Sequence, residues 1–412
     1  MRLSQRDQIV DDFMDQSNIG RRENVEVLVL APNSWLGQWV NRQQLFSRIG
    51  REHPVLYTTG GWFIWDRHAT HWKQANWQGA FAAHDNVWVD MSPRFLLRTP
   101  KLRLVDDAIL WFQARRWKRF LSARGGGPLV AYIYHPMFFP YVKLLGADYV
   151  VYHAYDLYDH TPGWSDELER AEGELLLRAD LVVTASDQIA EVLRTKVARE
   201  IRVLPNGADV AAFDRALDAE EPEDLSAVPH PRLGWVGSLH PQVDYGLIAE
   251  LARRRPDWNF VLVGQVVAHA DVRADAARAD CQTLSNVHFL GGKRIDEVPQ
   301  YVANMDVNLM IYRLSDKSWI KAGYPLKLHE YLAVGHPVVS ADLASVRPFS
   351  EVVRIAFGVD DWQLAIEEAL QGSGRGTPEQ RKAVAASNSW DHRAGVLKKW
   401  LTDLTTHRKH IP

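Results

Sequence analysis

Two successive runs of apolar strand segments, each strand followed by a helix-forming stretch, restrict this chain to an α/β architecture built on parallel sheets. The first run opens at Val25–Ala31 (VEVLVLA), a continuous apolar segment without alternation, which is the pattern of a strand covered on both faces. Pro32-Asn33-Ser34 reads as a turn, Trp35–Ile49 as an amphipathic helix and Val55–Tyr57 as a second strand. Leu129–Tyr134, Asp148–Tyr152 and Leu181–Ala185 continue the strands, with a helix at Asp166–Arg178 and cap candidates at Ser186 and Asp187. Ala216–Pro231 is rich in Asp, Glu, Ala and Pro without periodicity and reads as a linker. The alternation then restarts, with strands at Arg232–Val236, Phe260–Val263, Val287–Leu290, Val307–Ile311 and Val338–Ser340. A chain of 412 residues exceeds what one core serves, so two domains follow. The expected division is 1–215, a linker at 216–231, a second domain at 232–390, and a C-terminal helix and tail at 391–412. Residues 1–22 are polar and read as a lead-in.

Composition narrows the class. A net charge of −3 gives no reason to expect nucleic-acid binding. The single cysteine, Cys281, excludes an internal disulfide and points to a reducing compartment. No apolar run is long enough to span a bilayer and no signal-peptide pattern opens the chain, so a cytoplasmic location is expected.

Two stretches stand outside the alternation. Residues 60–101 hold Gly60-Gly61 and Trp62, Trp65, Trp72, Trp77 and Trp88, and read as an insertion that either packs an irregular subcore or handles an acceptor. Between Arg94 and Phe120 eight basic residues (Arg94, Arg98, Lys101, Arg103, Arg115, Arg116, Lys118, Arg119) face two acidic ones, Asp106 and Asp107. Trp111, Phe112, Trp117 and Phe120 interleave with them. Such a helix either lies on an anionic membrane or packs its aromatics on its own domain.

The segment with the most chemistry is Tyr324–Ser340 (YPLKLHEYLAVGHPVVS), read as a Pro-started helix, a Gly335 stop and a buried strand. Lys327 and Glu330 sit three apart on one face of that otherwise apolar helix. They form either a surface ion pair or a site at a sheet edge, where phosphates and ribose hydroxyls bind in open α/β sheets. In GWVGSLHP (Gly234–Pro241), Gly237 permits close backbone approach and the N–H groups from Ser238 onward can meet a phosphate. No GxGxxG follows the first strand, which disfavours a dinucleotide cofactor.

The Pro, Lys, acidic residue, YLA, Gly and PVV of Tyr324–Ser340 resemble the donor-site signature of GT-B glycosyltransferases. The similarity is to the bacterial group that includes teichuronic-acid and exopolysaccharide transferases. The resemblance implies two Rossmann-like doubly wound domains facing a cleft, with C-terminal helices returning to the first. It places ribose binding on Glu330 and diphosphate binding on Lys327, with amides near Leu328, and lines the nucleotide pocket with Tyr312. VYHAYDLYD (Val151–Asp159) resembles the family's Tyr-Asp-x-x-Asp strand end, with His153 at the first Asp and Asp156 at the second. Asp156 is thereby the first candidate base and His153 the second, while Asp159 is a distant third. Pro205-Asn206-Gly207-Ala208-Asp209 resembles the family's PNG-D turn, which sets Asn206 on the acceptor side, with His135 at a neighbouring strand end. Two departures stand out. Ala322 replaces the first Glu of the E-x7-E pattern, and Ser238-Leu239-His240 lacks the usual loop lysine. No D-x-D occurs, so no metal and no cofactor are expected.

These readings converge on transfer of a sugar from a nucleotide diphosphate-sugar, with UDP as the expected nucleotide, to a glycan or lipid-linked acceptor. Peripheral association with an anionic membrane is the further expectation. The rivals are a nucleotide-sugar epimerase of the same fold and a non-catalytic donor-binding scaffold.

Overall fold

The computed structural model describes residues 24–37, 39–84, 86–160, 163–268, 271–314 and 322–407; the expected lead-in at 1–22 and the end of the tail lie outside them. Contacts divide the chain into two compact units. One comprises Met1–Thr184, Ala190–Leu204 and Ala394–Pro412, the other Ala185–Ile189 and Pro205–Arg393.

The strands of the first unit are β1 (Glu26–Leu30), β2 (Val55–Thr58), β3 (Trp62–Phe63), β4 (Ala80–His84), β5 (Val87–Met91), β6 (Leu97–Arg98), β7 (Leu129–Ile133), β8 (Tyr149–Ala154), β9 (Leu181–Thr184) and β10 (Arg202–Val203). Eight of them form one sheet in the order β10-β9-β8-β7-β1-β2-β5-β4, and β3 pairs with β6 separately. Only the edge strand β4 runs antiparallel, against β5. Every residue of β1, β7 and β8 is buried, which is why those segments carry no polar alternation. Glu26 is the exception within β1. Its carboxylate accepts the Gly126 N–H, burial raises its pKa, and it thereby fixes the glycine turn that closes the basic helix. Strand order changes direction between β1 and β7, so the ends of β1, β7 and β8 form the switch point of this sheet.

Two expectations shift here. The helix read as Trp35–Ile49 begins only at Asn41. Trp35 instead lies buried, edge-on to Tyr57 at 5.1 Å. Part of the expected insertion is a true strand, because β5 pairs in parallel with β2.

The basic segment forms a helix at Arg103–Ser122, and two of its four interleaved aromatics pack inward. Trp117 is fully buried with its indole N–H on Asp90 at 2.7 Å, and the Phe120 ring lies 3.8 Å from that of Phe81. Arg98 pairs with Asp106 at 2.8 Å, Arg116 pairs with Asp90, and Lys118 donates to the Gly146 carbonyl at 3.1 Å. A different face is left outside. Leu104, Val105, Trp111 and Phe112 are 86, 49, 43 and 57% exposed. Their spacing puts them on one side of the helix.

The second unit holds β11 (Arg232–Val236), β12 (Asn259–Val263), β13 (Val287–Gly291), β14 (Val307–Met310), β15 (Val338–Ser340) and β16 (Arg354–Ile355). All are parallel, in the order β13-β12-β11-β14-β15-β16. The direction of strand order reverses between β11 and β14, which makes their C-terminal ends the switch point.

The expected boundary and linker also move. The helix Val210–Ala216 buries Phe213 and Ala216 in the core of the second unit, so that unit begins at Pro205. Residues 216–231 are no free linker. Leu225 and Val228 are buried in the same core, and Asp224 accepts from Tyr301 Oη at 2.7 Å and Lys293 Nζ at 2.5 Å. The last helix, Trp390–His407, packs within the first unit from Ala394, where Leu397 and Leu401 are buried and Lys398 reaches Glu52.

Candidate functional site

At the switch point of the second unit, β11 is followed by Gly237, whose φ of +132° is a backbone conformation glycine alone adopts without strain. Its amide donates to the Val263 carbonyl at 2.8 Å. A Cβ at this position would overlap Lys327 Nζ, so glycine is what lets the lysine reach the end of the strand. A Cβ on Gly264, at the end of β12, would in turn overlap the Gly237 carbonyl. The Lys327 ammonium lies 4.3 Å from the centre of the Trp235 ring, within cation–π range.

The helix carrying Lys327 and Glu330 is Lys327–Ala333. It is locked to β11 by Tyr331, whose hydroxyl accepts the Val236 N–H at 2.8 Å and donates to the Val236 carbonyl at 3.2 Å. The loop before it is tied by four side chains. Ser186 Oγ donates to the Ala322 carbonyl at 2.5 Å, Ser345 Oγ to that of Gly323 at 2.9 Å, and Asn206 Nδ2 to that of Tyr324 at 2.6 Å. Tyr324 Oη meets His329 Nε2 at 2.7 Å. Behind the helix Gly335 turns at φ +81°, and buried Arg381 donates to its carbonyl at 2.8 Å.

Lys327 and Glu330 are both partly buried at this strand edge. Burial pushes the Lys327 ammonium below the ordinary lysine range, with the Glu330 charge opposing. Burial likewise pushes the Glu330 carboxyl above the ordinary carboxylate range, with Lys327 opposing. A pair whose charges burial penalises this way gains from a ligand that supplies a second anion and hydroxyl donors. That chemistry fits the diphosphate and ribose of a nucleotide.

The fold places the other expected donor residues differently. Leu328 is fully buried and its amide bonds the Pro325 carbonyl at 3.4 Å, so it offers no donor to a ligand. Tyr312 is buried edge-on at 4.9 Å to Trp235, the ring over which the Lys327 ammonium lies. Ser238 sits beside Gly237 at the strand end, partly buried. Asn206 is corrected outright. It is buried in the second unit on the Tyr324 carbonyl, and Gly207 packs so closely on Asn388 that a Cβ would overlap its carbonyl. The PNG turn is therefore a brace for the loop before Lys327. A hollow of about 840 Å³ in this unit, lined by Glu351, Arg354, Glu368 and Arg375 among others, shares no residue with this site.

In the first unit Asp156 follows β8, partly buried. Burial pushes its carboxyl up to about 6, with the Arg42 charge opposing. His135 follows β7 and is pushed down to about 4, by burial first and Arg42 second. Its Nδ1 accepts the Met137 N–H at 3.1 Å, so it caps a turn. His153 does not fit a catalytic role. It is fully buried, its Nδ1 meets Tyr132 Oη at 2.8 Å, and burial holds it down to about 3, neutral at any working pH. The end of the strand explains the difference, since every residue of β8 to Ala154 is buried and the chain opens only beyond it. Asp159 lies 3.6 Å from Lys196 and belongs to that ion pair.

Arg42 is the residue that reading the sequence missed. It is 4% exposed, donates to Asn33 Oδ1 at 2.8 Å, and lies over the Tyr134 and Tyr155 rings at 4.7 and 5.1 Å. Nothing in NRQQ distinguishes it from a surface arginine; only the turn of the helix under the strand ends does.

Comparison with known proteins bears on both units. Residues 230–370 match the family described as glycosyl transferases group 1. TuaH of Bacillus subtilis (strain 168), named for teichuronic acid biosynthesis as a glycosyltransferase, is 28% identical over 232 residues, 54% of this chain and 57% of that protein. The chain therefore spans little more than half of that relative's length. Anabaena HepE, solved in complex with UDP and glucose, superposes with a TM-score of 0.64 at 16% identity, over 92% of this chain and 99% of that one. The α,α-trehalose 6-phosphate synthase of Burkholderia multivorans superposes with a TM-score of 0.63 at 10% identity, over 95 and 99% of the two chains. At such identities the likeness concerns the fold, which is GT-B.

Proposed function

From the match of residues 230–370 to the group 1 glycosyl transferases, we propose that the chain moves a sugar from a UDP-sugar to a hydroxyl of a glycan or lipid-linked acceptor in surface-polysaccharide synthesis. The observation that carries the donor half is the partly buried Lys327–Glu330 pair beside Gly237 at the switch point of an all-parallel sheet. Glu330 takes the ribose hydroxyls and Lys327 the diphosphate. The complexes of HepE with UDP support uridine as the base.

In the step itself, the acceptor hydroxyl oxygen bonds the anomeric carbon as the bond from that carbon to the diphosphate breaks. UDP leaves with the electron pair, stabilised by Lys327. Asp156 takes the hydroxyl proton, a task suited to a carboxylate whose pKa burial has raised toward neutrality. No metal is needed in this scheme, consistent with the absence of D-x-D. Purified protein incubated with radiolabelled UDP-sugar and a bacterial membrane extract tests the reading. Label passing to lipid or glycan supports it; interconversion of free sugar nucleotide, or no reaction, refutes it.

A second reading concerns where the reaction takes place. The exposed face Leu104, Val105, Trp111 and Phe112 is bordered by Lys101, Arg103, Arg115 and Arg119, all exposed, with Asp107 the acidic residue among them. We propose that this face rests on an anionic membrane, the apolar side chains in the headgroup layer and the cations on lipid phosphate. Each cation contributes up to about 1 kcal/mol there. Among the described residues no helix is long and apolar enough to cross a membrane. Flotation with phosphatidylglycerol-containing liposomes is expected, and is expected to be lost in a Trp111→Ser/Phe112→Ser variant. Flotation that ignores lipid charge and survives those changes would refute the docking face.

A further inference from the structure

A cavity of about 290 Å³ on the first unit takes no part in the chemistry above. It is lined by Trp62, Phe63 and Tyr57, with Ser34, Thr59 and Asp66 as polar groups. Its volume lies at the lower end for ligand pockets, which suits one ring rather than an extended molecule. The walls are held in place by the fold. Trp62 Nε1 donates to the Ser92 carbonyl at 2.9 Å, and its ring meets that of His71 at 5.4 Å. Phe63 is held between the Trp65 ring at 4.5 Å and the Arg98 guanidinium at 4.8 Å. The floor explains Gly60-Gly61: the Gly61 amide donates to Tyr141 Oη at 3.1 Å, and a Cβ on Gly61 would overlap the buried Gln113 amide.

The charge of the cavity selects against anions. Asp90 and Asp66 both line it. Asp90 is already satisfied by Thr58, Ser92, Trp117 and Arg116, so no cation is left over there for a uronate or a phosphate. Aromatic side chains beside hydroxyl and carboxylate acceptors are the surroundings of an uncharged polyol ring, whose C–H face packs on the aromatic and whose hydroxyls donate at the rim.

Its position sets what that ring is. The cavity lies beyond the ends of β1, β2 and β5, whereas Asp156 follows β8. The order β8-β7-β1-β2-β5 places two to four strand intervals between Asp156 and the cavity, about 10 Å at its near side at ordinary strand spacing. A monosaccharide presenting its hydroxyl to Asp156 is too short to fill both places. We propose that the cavity is a subsite for a sugar residue set back from the reacting end, so that the acceptor is a neutral oligosaccharide or the glycan of a carrier, not a single sugar. This rests on the assignment of Asp156 to the acceptor hydroxyl.

The test uses saturation-transfer NMR titrations of the full chain with defined probes: glucose, cellobiose, cellotriose and cellotetraose, and the maltose series alongside. Affinity is expected to rise about tenfold once the chain is long enough to reach the cavity, the scale of one ring packed on an aromatic. Thr59→Trp fills the mouth from an exposed position and is expected to abolish that gain while leaving monosaccharide binding unchanged. Trp62→Ala, from within the wall, is expected to do the same. Affinity that does not depend on length, no binding by any member of either series, or a gain that survives Thr59→Trp overturns the proposal. A UDP titration of the same samples keeps the outcomes separate, because it reports the donor site without reference to the cavity.

Discussion

Replacing Glu330 by glutamine should weaken UDP binding by more than the loss of a hydrogen bond to ribose. The direct loss, of charged hydrogen bonds from two hydroxyls, is about 1.5–3 kcal/mol, or about tenfold to about 150-fold in Kd. A second loss follows from the coupling to Lys327. In the wild type, burial lowers the Lys327 pKa and the Glu330 charge opposes that fall. Without Glu330 only burial remains, so the ammonium deprotonates at a lower pH and the diphosphate loses its cation sooner. UDP affinity in the wild type should therefore fall as pH rises through the lowered lysine pKa, and in Glu330→Gln that fall should begin at lower pH. Calorimetric titration with UDP between about pH 6 and about pH 9 reads both effects, with thermal melting to confirm folding. A folded Glu330→Gln protein that binds UDP as the wild type does, with the same pH profile, would refute the placement.

Other consequences follow from the same geometry. Gly237→Ala puts a methyl group where Lys327 Nζ lies and forces a left-handed backbone on alanine, so stability should drop by about 1–3 kcal/mol, read by denaturant melts, together with UDP affinity. Asp156→Asn should lower transfer by about 10²–10⁴-fold and leave UDP binding intact. Because the Asp156 pKa is raised to about 6, the base is present above that value, and the wild-type transfer rate should fall as pH drops through it. His153→Ala should act on stability alone, costing about 2–4 kcal/mol by cavity formation and by stranding Tyr132 Oη, with activity per folded molecule retained. Transfer should persist in EDTA, and activity lost to the chelator but restored by Mn²⁺ would contradict the metal-free scheme.

Much of this was legible in the residues because buried parallel strands have a distinctive composition. VEVLVLA, LVAYI, RLGWV and NFVLV are covered on both faces, so apolar runs announced them directly. Lys327 and Glu330 were legible because two charges on a helix otherwise made of Leu, His, Tyr and Ala need a reason. What the sequence concealed depended on tertiary contacts. Trp117 and Phe120 look the same on paper as Trp111 and Phe112, and only the turn of the helix against Asp90 and Phe81 separates a core pair from an exposed one. The acidic stretch 216–231 lacked periodicity because it winds over the second unit, held by Leu225, Val228 and Asp224 and not by any repeating face. Asn206 resembled an acceptor-side turn residue, yet its amide was needed to hold Tyr324. Arg42 carried no local signal, since its role depends on strand ends far along the chain.

The most direct measurement of the central claim is a crystal structure of the protein soaked with UDP. The account predicts the ribose hydroxyls on the Glu330 carboxylate and the diphosphate at Lys327 beside Gly237 and Ser238. Density for UDP elsewhere, whether in the hollow between Glu351 and Arg375 or on the first unit, with Lys327 and Glu330 left without ligand, would contradict it.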